Sequence, residues 1–64
     1  METIEDYAIS VCFEIEELEE MSTSDAQGIM MSPRAERMLK TCYEKGVHEK
    51  EAAQEIIEIA TVKL

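Results

Sequence analysis

Glu16 and Glu20 stand four residues apart, which sets two carboxylates on one face of a helix, as in a metal-binding helix. Di-iron bundles complete such a pair with Glu-x-x-His units, and the single histidine here, His48, belongs to none. His48 also has no serine, cysteine or aspartate at a motif spacing, so a nucleophile, a base and an orienting group cannot be assembled around it. Cys12, Cys42 and His48 lack the spacing of a zinc site. Both cysteines fall on or near apolar faces, where a thiol behaves as a small hydrophobe. No glycine-rich phosphate loop is present. The sequence predicts no catalysis, no metal and no cofactor.

What the acids face is the more productive question. The stretch FEIEELEE, residues 13–20, holds five glutamates and no base, and residues 1–31 hold nine of the 15 acids without one Lys or Arg. The second half is balanced, six acids against six bases, so the first half carries the whole net charge of -9. Such asymmetry predicts a protein partner with a basic surface. It argues against direct nucleic-acid binding by the first half, because phosphate contacts need clustered Lys and Arg.

Three helices must position these residues. In the first, about 3–21, Ile4, Ala8, Val11, Ile15 and Leu18 alternate spacings of four and three, with Tyr7 at the edge of the stripe. Ser22 to Asp25 and Gly28 break that pattern, and residues 22–31 read as a loop whose apolar end, Ile29 to Met31, packs back onto the body. The second helix, about 33–45, starts at an N-cap Ser32 with Pro33 in the first position and stops at Gly46. Its apolar face is Ala35, Met38, Leu39, Cys42 and Tyr43. The third, about 49–62, sets Ala52, Ala53, Ile56, Ile57, Ile59 and Ala60 on a broad face that Leu64 extends, with His48 near the N-cap and Glu51 placed for a capping box. The fold class is all-α: a small three-helix bundle, one domain over 1–64, completed or stabilised by oligomerisation because so short a chain buries only a marginal core.

On the first helix Ile9 and Phe13 break the amphipathic pattern. They touch as an i, i+4 pair and point away from the stripe, into the side where Glu2, Glu5, Glu16, Glu17 and Glu20 lie. Either the loop with Met30 and Met31, or a second copy of the chain, covers the pair, or it is the centre of a contact with another protein. In that contact Glu14, Glu16, Glu17 and Glu20 form the charged surround.

The passage CYEKGVHEKEAAQEI, residues 42–56, resembles the helix, glycine, alanine-rich helix cadence that opens a helix-turn-helix. The resemblance implies a turn at Gly46 and a close helix contact at Ala53. The following IEIATVKL has no basic recognition helix, and the cadence is shared by helix pairs in general, so it assigns no family. No secretory signal precedes the two cysteines and no apolar run approaches the roughly 20 residues that span a bilayer, which predicts a soluble cytoplasmic protein with no membrane partner. The function expected is a small acidic protein-binding module, a regulator, inhibitor or assembly factor acting through the first helix. The alternative is a nucleic-acid mimic whose carboxylates occupy the basic groove of a DNA- or RNA-processing protein.

Overall fold

Thr3 is extended, and its Oγ1 accepts the N–H of Asp6 at 3.2 Å, a cap that starts α1 (Ile4–Glu19). The computed structural model describes residues 2–61, and three further helices follow: α2 (Thr23–Met30), α3 (Pro33–Lys45) and α4 (Glu49–Thr61). All regular structure among the described residues is helical, and no described helix is long and apolar enough to cross a membrane.

Among the described residues the bundle therefore has four helices where the sequence pattern suggested three. Residues 22–31, read as a loop, form α2 because Ser22 supplies an N-cap, its Oγ accepting the N–H of Asp25 at 3.3 Å. Asp25 then places a carboxylate in the first turn, where it favours the helix N-terminus. Ala26, Ile29 and Met30 follow at i, i+3, i+4 spacing. Ala26 is fully buried and the other two pack against the core. The polar cluster Ser22 to Asp25 is a helix start, and Gly28 sits inside the helix without ending it.

α3 begins and ends as its residues dictate. Ser32 Oγ accepts the N–H of Ala35 at 3.2 Å, Pro33 occupies the first turn, and Gly46 takes the left-handed conformation, φ 71°, while donating to the carbonyls of Cys42 and Tyr43. Three residues later α4 starts. His48 is its cap: the backbone carbonyl accepts from Ala52 at 2.9 Å and the ring Nδ1 accepts from the N–H of Lys50 at 3.1 Å. The imidazole thus does what Ser or Asp usually does, without the reciprocal bond from Glu51 that a capping box would add.

The core joins Tyr7, Val11, Cys12 and Ile15 of α1 to Ala26, to Ala35, Leu39 and Cys42 of α3, and to Ala52, Ala53 and Ile56 of α4. The paired alanines let α4 lie close against α1. Val11, Ile15 and Ile56 are wholly enclosed, each contributing about 1.5–3 kcal/mol relative to an exposed side chain. Two expectations need correction at the ends of α1, where Ile4 and Leu18 remain 38% and 37% exposed because the stripe runs past its neighbours. Tyr7, expected at the edge, is buried instead. Ala60 is exposed, since the last turn of α4 extends beyond the packing surface. Val62, Lys63 and Leu64 lie outside the described residues.

Candidate protein-interaction face

α1 is clamped to the body by Tyr7, Val11 and Ile15, and this fixes which side faces outward. At about 100° per residue, Ile9 and Phe13 stand roughly opposite that buried line. They are 57% and 58% exposed. The chain does not fold back over them: Met30 turns into the core, and Met31, the nearest continuation, is itself 78% exposed. Intramolecular cover by the 22–31 segment, one of the three expectations for this pair beside a second copy and another protein, is therefore overturned. Forming α2 ties that segment to α1 and α4 by its other face.

The expected acids do not all surround the pair. Glu17 and Glu20 are exposed. Glu16 is half-buried, its Oε1 accepting from the Thr23 hydroxyl at 2.9 Å and its Oε2 lying 4.0 Å from the Cys12 thiol, so it also secures the α1–α2 junction. Glu14 is half-buried on the far flank, about 100° round the helix from Phe13. Asp6, absent from the expected set, is exposed one turn before Ile9 and two turns before Phe13. The i, i+3, i+7 series Asp6, Ile9, Phe13 was available in the sequence and identifies it.

Glu20 has a second distinction. It is the only described residue other than glycine with positive φ, at 50°, and its N–H donates to the Glu16 carbonyl to close α1. An L-residue pays roughly 1–2 kcal/mol for that conformation, which glycine adopts freely. The position keeps a carboxylate at the end of the acidic face all the same.

Beside the ridge runs an apolar trough between α1 and α3. Ala8 and Leu39 are common to its two parts, one lined further by Ile4 and Pro33 and the other by Ile9, Met30 and Met31. Glu5 lies on one rim, and Glu36, Arg37 and Lys40 on the opposite one. The trough was not apparent from periodicity, because it depends on how far α1 and α3 splay and on where α2 ends.

The two thiols are poorly suited to chemistry. Burial, reinforced by the Glu16 carboxylate, pushes the Cys12 thiol up; burial and then Glu55 do the same to Cys42, against a smaller opposing effect of Lys45. Both are free and buried, and a raised thiol holds little thiolate. Among the described residues no three His, Cys, Asp or Glu side chains converge as metal ligands. The chain matches no family model, no curated protein and no solved structure.

Proposed function

We propose that this protein is a small binding module, a regulator, inhibitor or assembly factor, whose docking surface is the outer face of α1. The observation that carries the reading is the exposure of Ile9 and Phe13, 57% and 58%, on a helix that has no base. An apolar centre with a charged surround is the anatomy of protein interfaces, and large side chains at such a centre dominate their energetics. Asp6, Glu17 and Glu20 flank the pair, with Glu14 and Glu16 at the margins, and together they suit a partner with a basic surface. The role is binding and not catalysis, in a reducing cytoplasm that keeps Cys12 and Cys42 as thiols.

The test is a photo-cross-linking side chain at Glu17, used in cells to identify the partner, followed by affinity measurements on the purified pair at low and high salt. Ile9→Ser/Phe13→Ser is expected to weaken binding by about 2 kcal/mol or more, roughly thirtyfold. Unchanged affinity in that variant would overturn the reading.

Mimicry of nucleic acid is the second reading, favoured by the run of 31 residues without a base. Arg34, Arg37 and Lys40 along α3 interrupt the negative surface and weigh against it. A mimic's complex would dissociate steeply with salt and tolerate the double serine variant, the reverse of the behaviour expected here.

A further inference from the structure

Resting on that reading, we infer that the basic surface met by α1 belongs to a second copy of the same chain: the Ile9–Phe13 ridge of each copy seats in the α1–α3 trough of the other, with flanking carboxylates against Arg37 and Lys40. Ridge and trough adjoin, since Ile9 lines part of the trough. One continuous patch thus carries both the projection and the recess, which is what a two-fold, self-complementary contact requires.

The charges point the same way. Every described base, Arg34, Arg37, Lys40, Lys45 and Lys50, lies on α3 or α4, while α1 and α2 have none. Among the described residues no ion pair joins the acids of α1 to these bases within the chain. Arg37 and Lys40 are exposed at the trough rim, across from Glu5. An acidic ridge entering the recess beside Arg37 and Lys40 brings α1 carboxylates of one copy to bases of the other, with Glu36 the one acid on that rim. Seating the ridge would also cover Met31 and Ile4, the other large apolar side chains left open in the two parts of the trough.

The experiment is solution mass by sedimentation equilibrium over a concentration series, with helicity followed by circular dichroism. The wild type should be a dimer. Arg37→Glu/Lys40→Glu and, separately, Glu17→Lys/Glu20→Lys should each raise the dissociation constant about tenfold or more. An equimolar mixture of the two variants should dimerise again, because each acidic rim then meets a basic ridge and each unaltered pair persists. All four positions are exposed, so both variants should retain wild-type helicity. A monomeric wild type, or a dimer indifferent to both reversals, overturns the inference. The failures are separable: a monomer whose Glu17 cross-linker captures another protein, with affinity lost in Ile9→Ser/Phe13→Ser, leaves the binding face intact and removes only the second copy. A dimer unaffected by the double serine variant removes the self-association through α1.

Discussion

Tyr7 of α1 and Tyr43 of α3 meet edge to face, ring centroids 5.4 Å apart with planes at 60°. The Tyr7 hydroxyl donates to the Val47 carbonyl at 2.6 Å, and the Tyr43 hydroxyl donates to the Glu2 carbonyl at 2.9 Å. Two phenols thereby fasten the chain's first turn to the α3–α4 connection. That fastening sets the rotation of α1, and hence which of its residues point outward.

Tyr7 makes stability sensitive to alkali. Burial first, then the negative charges of Cys42, Glu49 and Glu2, raise its pKa from 10.0 to about 12. A raised acid in the fold means the unfolded chain loses its proton first, so the contribution is complete below about pH 10 and falls through about pH 12 by up to roughly 1.4 kcal/mol per unit. The raised thiols of Cys12 and Cys42 act with the same sign. Urea midpoints measured across this range should decline more steeply in the wild type than in Tyr7→Phe. At neutral pH the variant should be less stable by about 1–3 kcal/mol, the cost of leaving the Val47 carbonyl without its donor.

Gly28→Ala should stabilise. Gly28 lies inside α2, and a Cβ added there meets no atom within 4 Å. Alanine should therefore gain about 1 kcal/mol from propensity, seen as a higher thermal midpoint. Gly46→Ala should do the opposite despite equal room, because φ is 71° there.

At the start of α4, replacing His48 by alanine removes the acceptor for the Lys50 N–H and should cost about 0.5–2 kcal/mol. His48→Ser should recover most of that loss in the same denaturation experiment. Equal stability of the wild type and the alanine variant would show that the ring contributes no cap.

Ile15→Ala and Ile56→Ala, both at fully enclosed positions, should each lose about 2–5 kcal/mol, much of the stability of so small a domain. Ile9→Ser/Phe13→Ser removes comparable apolar bulk, yet the monomer should change by only about 0.5 kcal/mol per site, since both residues already face water. Chemical denaturation at a concentration low enough to hold the chain monomeric separates the two cases.

Much of this fold can be read along the chain where caps and apolar spacing agree. Ser32, Pro33 and Gly46 bracket α3, and Ala35, Leu39 and Cys42 give its buried line. α2 was obscured because serine, threonine and aspartate signal both a turn and a helix start, and only the burial of Ala26 decides between them. Ile9 and Phe13 were recognisable as misplaced from spacing alone. Whether the chain covers them was not, because that depends on the direction Met30 and Met31 take after α2. The trough needs three helices in place before it exists, so no local pattern announces it.

The unrelieved acids of α1 and α2, set against the near-neutral mixture of charges on α3 and α4, also give the molecule a built-in electrical heading. A body charged on one side turns in the field of a charged surface while still several ångströms away, within a screening length of about 8–10 Å. Encounters would begin with α1 already leading toward positive potential, so ionic strength would govern how often an approach is productive as well as how long the contact lasts.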